Sequence, residues 1–190
     1  TSNTIFGKTA GDPDGAGDRN VFIGHLAGGA GIQTDAADGN VAIGYRAGTA
    51  ITTGAGNTLV GEDAGLLLLT STDNVAIGQS SLGSADGTET GNVAIGNVAM
   101  FAVDEGSGGQ ADYNVAIGFN ALRGGTLSSV NLNSNVAIGT NALNSTGTNA
   151  SLGQIAIGRD ALTALTSGAG NTAVGYLALS QHTTGARNTA

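Results

Sequence analysis

One short motif recurs ten times along this chain, and no other feature of the sequence restricts the fold as strongly. Each copy reads Asn (Gln in one copy), a β-branched residue, an apolar residue, then Ile, Val or Phe, and Gly. Two variable residues follow, then usually Ala, then Leu, Met or Gly. We number these positions one to nine. The copies start at Asn3, Asn20, Asn40, Asn57, Asn74, Asn92, Asn114, Asn135, Gln154 and Asn171, and an eleventh starts at Asn188.

The spacing of the copies predicts a solenoid, in which each repeat forms one coil stacked on the next. The shortest interval between successive starts, as from Asn3 to Asn20, occurs five times and gives the length of the minimal coil. Longer intervals contain insertions. With 34 Gly, no Trp and few Phe or Tyr, the chain can fill only a thin core. We therefore predict a single repetitive, all-β, parallel β-roll over residues 1–190. Because the chain stops within the eleventh copy, we expect it to be part of a longer fibre.

The first five positions of each copy predict a short strand, whose side chains alternate between two faces. Val41 and Ile43, at positions two and four, are assigned to the core of the coil. Ala42, at position three, is assigned to the opposite face, which is also apolar in all ten copies. Strands that are apolar on both faces are covered on both. The sequence thus predicts self-association through the Ala face, which Arg in place of Ala94 or Ala116 would disrupt.

Three further positions have structural interpretations. The recurrent Asn is predicted to form a hydrogen-bonded ladder or to cap the preceding turn. Position five is Gly in every copy, which predicts a positive φ or a close backbone approach. The variable positions six and seven are predicted to face solvent, and the Ala of position eight to form a second buried segment that closes the coil.

Charge and composition disfavour several functional classes. A net charge of −8 repels nucleic acid and anionic membranes, so we expect neither as a partner. The longest apolar run, residues 66–69, is far shorter than the ~20 residues that span a bilayer. The chain has no Cys for a thiolate metal site. Its two histidines, His25 and His182, lie far apart in the sequence, and no catalytic set recurs, so we expect no enzyme and no organic cofactor.

One segment is a candidate for calcium. Asp12, Asp14 and Asp18 alternate with glycines, and carboxylate oxygens in tight turns suit Ca²⁺. The set lacks the bidentate Glu of a complete helix-loop-helix site, so a solvated acidic turn is the favoured interpretation. Three insertions, at residues 28–39, 101–113 and 123–134, could hold binding surfaces at one edge of a rod or could be tolerated decoration. The sequence does not separate these two interpretations.

The motif resembles repeats of two families of surface fibres. Asn40-Val-Ala-Ile-Gly44 is similar to the Ser-Val-Ala-Ile-Gly repeats of trimeric autotransporter adhesin heads. The longer form, from Asn171 to Leu179 and then Thr183 to Asn188, is more similar to repeats of bacteriophage tail fibres. The resemblance covers essentially the whole chain and implies a homotrimer of left-handed β-rolls. The longer period, and Asn where the adhesin heads have Ser, favour the tail-fibre family.

The sequence therefore predicts a non-enzymatic segment of a trimeric tail fibre in a virion, which presents contacts for a host-cell receptor or glycan. The alternative is the head of a bacterial trimeric adhesin at the cell surface. A third possibility is a monomeric solenoid that binds ice or polysaccharide. That function needs a flat, regular, exposed array, commonly of Thr, whereas positions six and seven are irregular.

Overall fold

The chain forms a parallel β-solenoid, as the repeat predicted. The computed structural model describes residues 2–11, 17–29, 34–85, 88–103, 110–124, 131–145 and 151–190. Within these ranges every regular element is a β-strand, and no helix is present. The predicted all-β, repetitive architecture is thereby confirmed.

Each of the ten copies supplies one three-residue strand, from position two to position four. These strands form one ten-stranded parallel sheet, in which each strand pairs with that of the next coil. The register never shifts, so Val41 lies beside Thr58, and Ala42 beside Leu59. Two additional short strands pair with each other in the wider coils. The strands are β1 (Thr4–Phe6), β2 (Val21–Ile23), β3 (Val41–Ile43), β4 (Thr58–Val60), β5 (Val75–Ile77), β6 (Val93–Ile95), β7 (Val115–Ile117), β8 (Leu132–Asn133), β9 (Val136–Ile138), β10 (Ser151–Leu152), β11 (Ile155–Ile157) and β12 (Thr172–Val174).

The assignment of the two strand faces from the sequence is wrong. Position three lies inside the coil, where Ala42, Ala94 and Ala116 are 0% exposed. Positions two and four point outward, and Val41 and Ile43 are only half-buried. The interior of the coil is thin, and in seven of the ten copies the side chain on the inner face is Ala. The β-branched side chains fit outside, where neighbours ~4.8 Å above and below shield them.

The second buried segment is confirmed, and it faces position three across the coil. Positions three and nine share the interior volume. Where position three is large, as in Phe22 or Leu59, position nine is Gly both in that coil and in the preceding one, so Gly48 accompanies Ala42 in the coil before Leu59. From Ala76 onward, position three is Ala and position nine is Leu or Met. A Cβ on Gly28 would lie 2.6 Å from Phe22 Cδ1, and one on Gly65 would lie 2.7 Å from Leu59 Cδ2. The two positions therefore form one close-packed unit.

The Gly of position five has the positive φ that the sequence predicted. At Gly139, for example, φ is +130°, and a Cβ there would lie 2.7 Å from the carbonyl carbon of Gly158 in the next coil. Both the conformation and the close approach exclude a larger residue. Non-glycine residues also adopt left-handed conformations where the coil turns, including Asn120 at position seven (φ +57°) and Leu122 at position nine (φ +46°).

The Asn of position one forms the predicted ladder inside the solenoid. The backbone N–H of Asn114 donates to Asn92 Oδ1 at 2.9 Å, and that of Asn135 donates to Asn114 Oδ1 at 3.0 Å. Asn114 Nδ2 also donates to the Leu132 carbonyl at 2.6 Å. Gln154 substitutes for Asn without interrupting the series. We call this series the Asn ladder, and it continues unbroken from Asn3 to Asn188.

Candidate functional site

The outward face of the ten-stranded sheet is a regular surface to which every coil contributes one strand. We call the side chains at positions two and four of its ten strands the Val/Ile face. Sixteen of these twenty residues are Val or Ile, three are Thr, and one is Phe. Several stay well exposed despite their axial neighbours, including Ile77 at 38% and Ile157 at 37%.

The dimensions of the Val/Ile face follow from the strand geometry. Ten strands at ~4.8 Å give a length of about 50 Å, and two side chains per strand give a width of about 10 Å. The resulting apolar band of roughly 500 Å² is as large as the largest apolar patch of a typical monomer, and such a patch is often functional. Sequence reasoning recognised that both faces were apolar but placed this one inside the coil.

A second regular surface is the axial series of position-six side chains, which we call the surface strip. Most of its residues are exposed and the others are half-buried, so the predicted solvent exposure is confirmed for position six, whereas most position-seven residues are half-buried. Neighbouring coils contact one another along it. The Tyr45 ring stacks on the His25 ring at 5.6 Å between centroids, and Arg159 lies 5.9 Å from the Tyr176 centroid. The strip comprises Lys8, His25, Tyr45, Glu62, Gln79, Asn97, Phe119, Thr140, Arg159 and Tyr176.

Polar side chains at position seven run beside the strip. Arg46 makes a bidentate ion pair with Asp63, at 2.8 and 2.7 Å, which raises the pKa of Arg46 above its ordinary value. Farther along, Asn120 donates to Asn141 at 3.3 Å, and Asn141 donates to Asp160 at 2.9 Å. Each of these bonds joins one coil to the next.

The structure describes only part of the calcium candidate. Asp12 and Asp14 lie outside the described residues. Asp18 lies within them, and its backbone N–H donates to Asp38 Oδ1 at 2.6 Å. That bond and, next, the ion pair with Arg19 at 2.7 Å lower the pKa of Asp38. Across the described ranges no three potential metal ligands cluster, and calcium binding by Asp12, Asp14 and Asp18 stays a prediction.

The two histidines lie at different places in the solenoid. His25 belongs to the second coil and stacks on Tyr45. His182 lies in the tenth coil, where its Nε2 is 3.0 Å from Asn188 Nδ2. The structure therefore gives each histidine a different neighbour.

Sequence reasoning missed one buried carboxyl group. Glu89 is 1% exposed and precedes Asn92 by three positions, at a place that faces the interior. Ser71 Oγ donates to Glu89 Oε2 at 2.6 Å, and Asn74 Nδ2 donates to the Glu89 carbonyl at 2.9 Å. The signal was its place in the repeat, since the equivalent carbonyls of other coils accept from the Asn ladder in the same way. Its hydrogen bonds integrate it into the interior of the coil.

The insertions are described only at their ends. The second returns to the solenoid at Gln110, which bridges Asn131 of the third, and the third ends in β8, which pairs with β10 of the next coil. The central parts of all three insertions include residues outside the described ranges. A binding role for these loops stays a prediction.

Comparisons with known proteins give this chain no relative: no family model, no curated protein and no solved structure matches it. No helix in the described ranges is long and apolar enough to cross a membrane. The surfaces of the solenoid are therefore the basis for a functional proposal.

Proposed function

We propose that this chain is a non-enzymatic segment of a homotrimeric surface fibre, a bacteriophage tail fibre that holds and presents contacts for the host cell. The main support for this proposal is the exposed Val/Ile face. An apolar band that extends over all ten strands favours burial against another surface, because the transfer of exposed aliphatic groups out of water lowers the free energy.

A second copy of the chain is the partner that fits this face most simply. Its strands have the same ~4.8 Å spacing, so side chains of two copies can interdigitate along the whole axis. A pair or a three-chain bundle would bury the face; the resemblance to trimeric adhesin heads and tail fibres favours three chains. The Ala side chains already lie inside the coil, so they cannot form the interface that the sequence predicted. We therefore assign the self-association to the Val/Ile face.

The proposed mechanism is mechanical and multivalent. The Asn ladder and the unshifted register make each chain a rod, and three rods display three copies of every surface site. Weak contacts with a cell surface then add through effective concentration.

The native molar mass, measured by light scattering, tests the proposal. We expect three times the chain mass of 18.3 kDa. Ile95→Arg, on the Val/Ile face, should reduce the mass to that of one chain, because an Arg cannot be buried unpaired between apolar faces. Gln79→Arg adds the same side chain on the surface strip and should leave a trimer. A wild-type chain that is folded and monomeric would overturn the trimer and favour a solenoid that binds a repetitive ligand.

A further inference from the structure

The surface strip is unusually rich in exposed aromatic rings. Tyr45, Phe119 and Tyr176 are 45%, 49% and 67% exposed. The strip has ten of the 190 residues of the chain, yet it holds three of its seven Tyr and Phe residues, where fewer than one is expected by chance. Exposed rings in a line are informative, since single exposed apolar side chains are common on any protein.

Phe119 is the clearest platform of the three. Among the described residues, neither an aromatic ring nor a cation lies over its ring. Asn97 and Thr140 flank it along the strip, and the Asn120 and Asn141 amides run beside it at position seven. An apolar face is thus surrounded by uncharged hydrogen-bond donors and acceptors.

The other two rings have charged neighbours. Tyr45 lies beside the Arg46–Asp63 ion pair, and the Arg46 guanidinium is 5.1 Å from its centroid. Arg159 lies over Tyr176. These charges are already engaged, so they orient the rings while the phenolic edges stay exposed.

An open aromatic face at Phe119, with amides, hydroxyls and phenolic edges along the same strip, matches the chemistry of sugars, which present C–H groups on one side and hydroxyls around the rim. The charge of −8 on each chain disfavours an anionic polymer. Phe119 lies four coils after Tyr45, and Tyr176 lies three coils after Phe119. At ~4.8 Å per coil, the spacings along the axis are ~19 and ~14 Å. A ligand that reaches two platforms must be an extended chain.

We infer that the surface strip is a binding site for an extended neutral polysaccharide, which lies parallel to the solenoid axis, stacks on Phe119 and contacts the exposed phenolic edges of Tyr45 and Tyr176. This inference deepens the proposed function by naming the chemistry of the receptor, and it rests on that function for the threefold display of the strip. A single chain nevertheless carries one complete strip.

Affinity electrophoresis of the full chain tests the inference, with native gels that contain dextran, mannan, galactan or arabinoxylan. We expect retardation in at least one gel. Phe119→Ala should weaken the apparent affinity about tenfold, as the loss of one aromatic contact predicts. A Tyr45→Ala, Phe119→Ala, Tyr176→Ala triple variant should migrate as in a gel without polysaccharide. The matched control is Tyr113→Ala, which removes a ring that is 64% exposed but lies outside the strip.

The outcomes separate this inference from the proposed fibre. The variants should keep the wild-type molar mass and circular dichroism spectrum, since the mutated rings are exposed. A fifth gel contains dextran sulphate as an anionic control. Absence of retardation in the four neutral gels, stronger retardation by dextran sulphate than by any of the four, or equal losses for Tyr113→Ala and Phe119→Ala would each overturn the sugar site. None of these results would alter the trimer measurement, and a monomeric chain that still binds polysaccharide would overturn only the trimer.

Discussion

Single side chains explain why the repeat always starts with an amide. In the thin interior, each buried Asn supplies an acceptor for the backbone N–H of the next Asn in the ladder and donates its own amide to the carbonyl three residues before that Asn. The only exception in the ten copies, Gln154, has the same functional group. Backbone groups that the short strands leave unpaired are thereby satisfied without water.

Replacement of a central ladder residue should therefore be costly. Asn114→Ala removes the acceptor for Asn135 N–H and the donor to the Leu132 carbonyl, both buried. We expect a loss of about 3 kcal/mol in the free energy of unfolding, from two unsatisfied polar groups. Urea unfolding followed by circular dichroism measures it. Asn97→Ala, on the surface strip, should change stability by less than about 0.5 kcal/mol; equal effects of the two variants would contradict the structural role of the ladder.

The coil is the next unit, and its packing couples positions three and nine of each copy. The fourth and ninth coils both have the minimal length, with Leu68 and Leu165 buried at equivalent places. They differ in how they fill the remaining space: Leu59 faces Gly65 in the fourth, and Ala156 faces Leu162 in the ninth. The two arrangements are alternative solutions for one interior volume.

Exchanging these solutions gives a double-mutant test. Ala156→Leu alone overfills the ninth coil, and Leu162→Gly alone leaves a cavity, so each should cost about 2 to 3 kcal/mol. The double variant reproduces the fourth coil and also places Gly at a φ of +49°. We expect its loss to be smaller than the sum of the two single losses by about 1 kcal/mol or more, because the lost and added volumes offset each other within the coil, while Leu143 of the preceding coil still fills the place that Gly48 leaves open beside Leu59. Thermal and urea unfolding of all four proteins measure the coupling; additive losses would show that the two positions do not share space.

For the whole molecule, the stack of coils creates surfaces that no single coil has. The Val/Ile face and the surface strip both arise because the register never shifts over ten strands. In such a stack each coil contacts only its neighbours, so a defect in one coil acts locally, whereas a change on a continuous face acts on assembly.

Adjacent substitutions distinguish these two effects. Ala94→Arg places a long charged side chain where the wild type is 0% exposed, so it should lower the unfolding temperature sharply and reduce the β-sheet signal. Ile95→Arg, at the next position, should preserve the spectrum and change only the native mass. Circular dichroism and light scattering on the same samples give the comparison. A folded Ala94→Arg protein with reduced mass would restore the original assignment of the faces.

Much of this architecture could be predicted from the amino-acid pattern. The minimal period, the strand in each copy, the Asn ladder and the positive φ of the recurrent Gly all depend on local chemistry that repeats in every coil. Stacking follows from the period, because one coil cannot bury its own apolar side chains. These features required no knowledge of how the coil closes.

Closure of the coil decided which strand face lies inside. Alternation defines two faces, but the direction in which the chain curls depends on residues beyond the strand, where position nine shares its space with position three. One clue was available: Asn92 and Ala94 lie on the same side of the strand, and an amide ladder that joins buried backbone groups belongs inside. The contacts along the surface strip, such as His25 with Tyr45, also depended on the tertiary structure, because stacking brings together side chains that are a whole coil apart.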